Sequence, residues 1–197
     1  MPSRVRDWLA ATVVFALALT VACGGGDDLT PSTVTPTPVG ISSDPVFKTL
    51  LSRPLNLPSA SGGDCPVTPA ELLSPTSPFT VGDGPIYTTG LGSSTVLNVK
   101  AGGDWLVGNL QWEAPTTFAE KALIRGGRID GGGQVGFGLS APRSNDPDRA
   151  AVELDPASDL AWSAEVFVKS PGCYALQIDS ETSDTDVIVF HVAEVTQ

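Results

Sequence analysis

The side chains that could perform nucleophilic or acid–base chemistry are few, and they lack the partners that catalysis needs. His191 is the only histidine in the chain. A serine or cysteine nucleophile is normally activated by a histidine, so an enzyme of this kind would depend on His191. The sequence also contains no G-x-S-x-G turn of the type that exposes a hydrolase serine. We therefore predict that His191 has a structural role on a β-strand.

Acidic and amide side chains concentrate in two short stretches. The stretches are Asp179–Asp186 (DSETSDTD) and Asn145–Asp148 (NDPD). Their oxygen atoms could bind calcium, but neither stretch has the ligand spacing or the glycine of an EF-hand loop. Two carboxylates could also cleave a glycosidic bond, which depends on their separation in space. We interpret both stretches as solvated loops and predict no metal site.

Nucleotides and nucleic acids are disfavoured as ligands. The glycine run Gly131–Gly133 lacks the lysine that follows a phosphate-binding loop, so we predict a turn there and no cofactor. The net charge of −11, from 22 acidic and 11 basic residues, opposes binding to nucleic acid. Arg125 and Arg128 could bind an anion, but in so acidic a chain we expect them to pair with neighbouring carboxylates.

One predicted strand carries a weak recognition signal. One face of this strand carries Trp105, Val107, Asn109 and Gln111, whereas the opposite, apolar face carries Leu106, Leu110 and Trp112. An accessible tryptophan beside amides can stack on a sugar ring or fit into a protein partner. We predict that Trp105, Asn109 and Gln111 form the candidate binding surface and that Trp105 is accessible to solvent. The alternative is that Trp105 is a strand-edge residue that caps the core.

The N-terminus carries a targeting signal over residues 1–22. Arg4 and Arg6 precede a charge-free apolar run that is too short to span a bilayer and has the length of a secretory signal. The sequence Thr20-Val21-Ala22-Cys23 resembles the lipobox of bacterial lipoproteins, although Thr20 stands where a large aliphatic residue is usual. The resemblance implies that Cys23 is acylated and becomes the mature N-terminus.

Residues 23–44 have the composition of a flexible tether. They are rich in glycine, aspartate, threonine, serine and proline and show no hydrophobic periodicity. Two or three acyl chains on Cys23 would hold the protein on a membrane, where a single chain would not. We predict a lipid-anchored protein on the extracytoplasmic face, with residues 45–197 forming one domain.

The remaining cysteines, Cys65 and Cys173, predict a disulfide bond because an exported protein meets an oxidising compartment. A zinc site is disfavoured because no ligand cluster accompanies them. Cys173 has the opposite strand parity to the apolar Tyr174, so its side chain should point away from the core. We expect the bond to pin the segment around Pro66 to the edge or outer side of the strand that begins at Cys173.

Short strands separated by turn residues dominate the chain after residue 45. The 21 glycines and 17 prolines exclude an all-α fold. The predicted strands are Thr95–Lys100, Asp104–Glu113, Lys121–Arg125, Gln134–Leu139, Ala161–Lys169, Cys173–Asp179 and Asp186–Val195. They predict an all-β, antiparallel β-sandwich of immunoglobulin-like arrangement. Thr68 and Glu71, with Pro69 between them, predict one helical turn near residue 70.

Alternation assigns one face of three strands to the core. The predicted core residues are Val135, Phe137 and Leu139, then Trp162, Ala164, Val166 and Val168, and finally Tyr174, Leu176 and Ile178.

Four motifs, in order, resemble a family of uncharacterised secreted bacterial proteins. They are CP within Arg53–Pro69, GDGP within Gly82–Ser93, LIRG within Ala122–Gly138 and PGCY within Pro171–Asp179. The resemblance implies a single exported domain and no particular activity.

These observations predict a membrane-tethered, non-enzymatic envelope module that binds a protein or glycan partner. The alternative is an extracytoplasmic hydrolase, such as a glycan-active enzyme, that works through carboxylates. A concave pocket with two converging acids of shifted pKa would favour the hydrolase, and flat filled sheets would favour the binding module.

Overall fold

The computed structural model describes residues 42–60, 63–73, 78–138, 147–182 and 185–195. These residues belong to one compact unit. Cys23, with the targeting signal and most of the tether, lies outside them. The elements are α1 (Pro45–Ser52), β1 (Ala70–Leu72), β2 (Phe79–Val81), β3 (Tyr87–Thr89), β4 (Val96–Gly102), β5 (Trp105–Glu113), β6 (Ala122–Arg128), β7 (Gly136–Gly138), β8 (Val152–Leu154), β9 (Ala161–Val168), β10 (Gly172–Ser180) and β11 (Asp186–Glu194).

The strands form one hydrogen-bonded network that folds into two halves. Sheet 1 has the order β8-β6-β10-β11-β4, and sheet 2 has the order β1-β2-β3-β5-β9-β7. β4 joins them, because Val96–Val99 pair with β11 while Lys100–Gly102 pair with β5. The all-β prediction is confirmed, and the seven predicted strands correspond to β4–β7 and β9–β11.

One strand pair departs from the antiparallel prediction. β4 and β11 run parallel, with Val96 opposite His191. Six strands separate them in the chain, so no hairpin forces the antiparallel direction on this pair. The immunoglobulin-like arrangement remains a prediction.

The core lies between the two sheets. Trp112 and Phe137 from sheet 2 and Tyr174 and Phe190 from sheet 1 are each at most 1% exposed and belong to one apolar cluster. The predicted core faces of β7, β9 and β10 are confirmed, except that Trp162 is half-buried at the margin. Leu139 lies outside the described residues.

The helix α1 forms because its first turn is capped and its apolar face has a surface to cover. Asp44 caps it by accepting a hydrogen bond at Oδ1 from the Val46 N–H (2.8 Å), and Pro45 has the dihedral that the first helical position requires. Phe47 and Leu50 then pack on the outer side of sheet 1.

The N-terminal segment continues from α1 across the outer side of sheet 1. We call residues 42–60 and 63–68 the strap. It ends at the predicted disulfide bond, in which the Cα atoms of Cys65 and Cys173 are 5.4 Å apart. Cys173 points away from the core and packs with Ala175 and Val189 on the outer side of sheet 1. The predicted direction of its side chain and the predicted pinning of the segment around Pro66 are both confirmed.

The helical turn predicted near residue 70 is wrong, because residues Ala70–Leu72 form the strand β1. The Thr68 hydroxyl, which would have capped a helix, instead accepts a hydrogen bond from the Val189 N–H (2.9 Å). The Thr68 N–H also donates to the Val189 carbonyl (2.9 Å). Thr68 therefore occupies the edge of β11 just before β4 begins to pair there, and the chain leaves it in an extended conformation.

Candidate functional site

The predicted binding residues lie together on the outer face of sheet 2. Trp105, Asn109 and Gln111 alternate along β5 with Leu110 and Trp112, which are fully buried in the core. Asn109 and Gln111 are exposed. The structure therefore places all three predicted residues on one side of one strand, as alternation requires.

Trp105 is half-buried rather than open to solvent. The Lys169 Nζ lies 3.7 Å from the centroid of the indole ring. Phe167 contacts the indole edge-on, with 6.4 Å between ring centroids. Lys169 is held in place because it follows the end of β9 and its Nζ also donates to the Asp104 carbonyl (3.2 Å). One face of the indole is thus covered by an ammonium group, a favourable cation–π contact.

Trp105 adjoins the apolar Val107 and Phe167 on this face, and the polar groups begin further along β5, at Asn109. Asn109 is opposite Glu165 on β9, and Gln111 is opposite Ser163 on β9 and Thr89 on β3. Opposed side chains of antiparallel strands lie about 5 Å apart, so this row is two to three side chains wide. The arrangement is a patch of hydrogen-bonding groups, with Val107 between it and the aromatic Trp105, and it suits contact with another surface.

Carboxylates line a separate groove of about 570 Å³ beside the start of α1. The Lys121 Nζ lies 2.5 Å from the Asp44 Oδ2 and 3.5 Å from the Asp155 Oδ2. The hydrogen bond from Lys121 lowers the pKa of Asp44. Glu153 accepts a hydrogen bond at Oε1 from the Ser42 N–H (2.5 Å). Glu153 and the Asp44–Lys121 pair therefore hold the first residues of the strap in place, and Asp155 contacts them only through Lys121.

The carboxylate with a raised pKa lies elsewhere. Burial at the start of β11 raises the pKa of Asp186, and the charge of Asp83 adds to this effect. The Asp83 N–H donates to the Asp186 Oδ2 over 3.3 Å. Asp186 does not line the groove that contains Asp44, Glu153 and Asp155. The carboxyl group with the raised pKa, Asp186, therefore lies outside the acid-lined groove, where a general acid would be needed.

The two arginines have the carboxylate partners predicted for them, whereas the structural role of His191 stays a prediction. The His191 side chain is exposed on the outer side of β11, and no hydrogen bond or ion pair joins its ring to another described residue. The Arg128 Nε bonds the Asp130 Oδ1 at 2.5 Å, and this bond raises the pKa of Arg128 and lowers that of Asp130. Arg125 pairs with Asp179, so the predicted carboxylate partners of both arginines are confirmed.

A buried polar network beneath the strap was not predicted. The Arg125 Nη2 lies 2.6 Å from the Asp179 Oδ2, and the Asp179 side chain is 1% exposed. The Arg125 Nη1 also donates to the Leu51 carbonyl (3.2 Å) and to the Arg53 carbonyl (2.9 Å). The ion pair therefore depends on strap carbonyls to satisfy its remaining hydrogen-bonding capacity.

In the same network, the Gln177 side chain makes hydrogen bonds to the backbone of the strap. Its Nε2 donates to the Pro54 carbonyl (3.0 Å), and its Oε1 accepts from the Asn56 N–H (2.6 Å). Gln177 and Asp179 share strand parity with Cys173, which places all three on the outer side of β10. The sequence therefore held a signal for this network. Two polar residues have the same strand parity as Cys173, whose disulfide bond brings the strap to the outer face of β10.

Comparison of the chain with protein-family models, with curated proteins and with solved structures finds no match. Within the described ranges, no helix is long and apolar enough to cross a membrane. No three histidine, cysteine or acidic residues of those ranges are grouped closely enough to hold a metal ion. The function proposed next depends on the chain's own residues and contacts.

Proposed function

We propose that this protein is a membrane-tethered lipoprotein on the extracytoplasmic face and that its β-sandwich is a non-enzymatic binding module. The lipobox-like Thr20–Cys23 and the tether that follows support membrane attachment. The Cys65–Cys173 bond supports export, because structural disulfides persist in oxidising compartments. The resemblance of the motif order to secreted bacterial proteins favours the same location.

The observation that carries the binding role is the row of Trp105, Asn109 and Gln111 on the outer face of sheet 2. Lys169 covers one face of the half-buried indole, so less of the ring is left for a sugar to stack on. A protein surface that supplies hydrogen bonds to the amides and an acidic group to Lys169 fits it better. The partner is therefore proposed to be another envelope protein.

The attachment is tested by expressing the full chain and a Cys23→Ser variant in a bacterial host. We expect mass spectrometry to find an acylated Cys23 at the N-terminus of the first and the membrane fraction to lose the second. A mature N-terminus at another residue, or a Cys23→Ser variant that stays on the membrane, would contradict lipid anchoring.

The binding face is tested by photocrosslinking in the native envelope. A photoreactive residue in place of Gln111 should give a discrete adduct, and the same residue in place of Lys48, which is exposed on the strap, should not. Asn109→Arg should abolish the Gln111 adduct because it adds bulk and charge at the centre of the row. Adducts of equal yield from both positions, or an adduct that survives Asn109→Arg, would refute this face.

A further inference from the structure

Lys169 is fixed over the indole ring of Trp105 at the end of β9. Its Nζ lies 3.7 Å from the centroid of the ring, within the range of a cation–π contact. The same Nζ donates a hydrogen bond to the Asp104 carbonyl (3.2 Å). Phe167 packs edge-on against the indole and is itself 1% exposed, so it limits the movement of the ring. The ammonium group and the ring therefore hold each other in position.

The Lys169 ammonium group keeps hydrogen-bonding capacity for another molecule. An ammonium group has three N–H donors. One donor bonds the Asp104 carbonyl, and the indole ring lies on another side of the group. No carboxylate of the described residues forms an ion pair with Lys169, whereas Lys121, Arg125 and Arg128 each have such a partner. Because Lys169 is exposed, its remaining donor is open to a carboxylate from outside the chain.

A second lysine adds positive charge on the other side of β5. Lys100 on β4 is exposed and lies opposite Val107, the outer residue next to Trp105. Opposed residues share a face of a sheet, so Lys100 is on the same outer face as the indole. β4 and β9 flank β5 here and are two strand spacings, about 10 Å, apart. The positive part of the face ends at Asn109, which has Glu165 opposite it on β9.

We propose that Lys169 determines which class of partner the outer face of sheet 2 accepts: its ammonium group binds a carboxylate of a protein partner, and its position over Trp105 disfavours a saccharide. This inference rests on the proposed binding role of that face. A saccharide stacks on an open aromatic face, and the Lys169 Nζ occupies that position on the indole. An acidic side chain that approaches from solvent instead meets the ammonium group, with Lys100 adding charge of the same sign. Charge and cover come from one side chain, so variants can change them separately.

Photocrosslinking from Gln111 in the native envelope tests the carboxylate. Lys169→Met keeps the length of the side chain and removes its charge, whereas Lys169→Arg keeps a charge. Lys169→Met should lower the adduct yield by about tenfold, the contribution of a hydrogen bond between charged groups, and Lys169→Arg should restore it. The matched control is Lys48→Met, which removes one charge from the exposed side of α1 and should leave the yield unchanged. An undiminished yield in Lys169→Met would overturn the proposal.

Calorimetric titration of the purified full chain with chitohexaose tests the cover. Lys169→Ala uncovers the indole and should bind this saccharide at least about tenfold more tightly than the wild type does. Lys169→Met should behave like the wild type, because its side chain still covers the ring. Adding Trp105→Ala to Lys169→Ala should abolish the binding. Equal affinities of the wild type and Lys169→Ala, including no binding by either, would overturn the proposal.

The two experiments separate this inference from the proposed function. A wild type that gives no adduct from Gln111 would refute the binding role of the face, whereas the titration measures the cover of the indole in either case. Lys169 is exposed, so its variants should keep the urea midpoint close to that of the wild type, which confirms that they are folded.

Discussion

Replacing both Cys65 and Cys173 with alanine should remove a large share of the stability of this domain. The bond joins residues 108 positions apart. In the chain-entropy account, closing a loop of this length lowers the free energy of folding by about 5 kcal/mol, through the lost freedom of the unfolded chain. Cys173 is 2% exposed and packs against Ile129, Ala175 and Val189, so alanine keeps most of its apolar contacts. The expected loss of stability therefore comes mainly from the loop-closure entropy, about 5 kcal/mol, and is large against a total stability of about 5–15 kcal/mol.

Urea unfolding of the variant and of the wild type, with and without reductant, measures this loss. The midpoint should fall, the slope should rise because the unlinked chain unfolds to a more open ensemble, and the melting temperature should drop by about 10–20 °C. The reduced wild type serves as the control and should match the double variant. A loss below about 1 kcal/mol with an unchanged slope would show that the bond does not restrict the unfolded chain, and the reasoning would be wrong.

Three further substitutions test the surroundings of single residues. Trp105→Ala should lower the free energy of unfolding by less than the roughly 3–5 kcal/mol expected for Trp112→Ala, because Trp112 is fully buried. Urea unfolding measures both losses, and equal losses would place Trp105 in the core. Because burial raises the native pKa of Asp186, the free energy of unfolding should increase as the pH falls from 7 through that pKa toward about 4. Asp186→Asn should increase the free energy of unfolding at pH 7 and remove this pH dependence. The hydrogen bond from Arg128 lowers the native pKa of Asp130, so its contribution is present above about pH 4 and is lost as the pH falls through the lowered value. Asp130→Asn should therefore lower stability at pH 7 and flatten the acid limb; an unchanged limb would contradict this assignment.

The long strands were predictable because their side chains alternate between two different environments. β5 and β10 each have nine residues, enough for the apolar set to repeat several times. The same alternation showed that Cys173 leaves the core face, since its neighbour Tyr174 points inward. β1, β2, β3 and β8 have three residues each, so no repeat exists for them and their pairing is decided by the strands already in place. β7 is as short, but Val135, Phe137 and Leu139 alternate through it and beyond its ends.

The helix was misplaced because two segments share part of the local signal for a helix start. Asp44-Pro45 and Thr68-Pro69 both put a capping side chain before a proline. Only the first is followed by Phe47 and Leu50, which have a sheet surface to cover. Thr68 instead meets the free edge of β11, where its hydroxyl and amide both bond Val189. Tertiary contacts therefore outweigh the local signal, which is stronger at Thr68 because Glu71 completes a capping box there.

Sequence parity and charge pointed to Gln177, Asp179 and Arg125, but the burial of this polar network could not be predicted, because each of these side chains loses free energy when it is buried without its partners. Burying Arg125 with Asp179 removes both charges from water, and the attraction between them offsets that cost only when their other hydrogen bonds are satisfied. The Leu51 and Arg53 carbonyls supply two of those bonds, although the Arg125 Nε finds no partner among the described residues. Because burying this network contributes little net free energy of folding, its main effect is to set the position of the strap rather than to add stability. A strap displaced by one residue would lose both carbonyls and leave a buried charge unsatisfied, so the ion pair fixes the register in which the strap reaches Cys65.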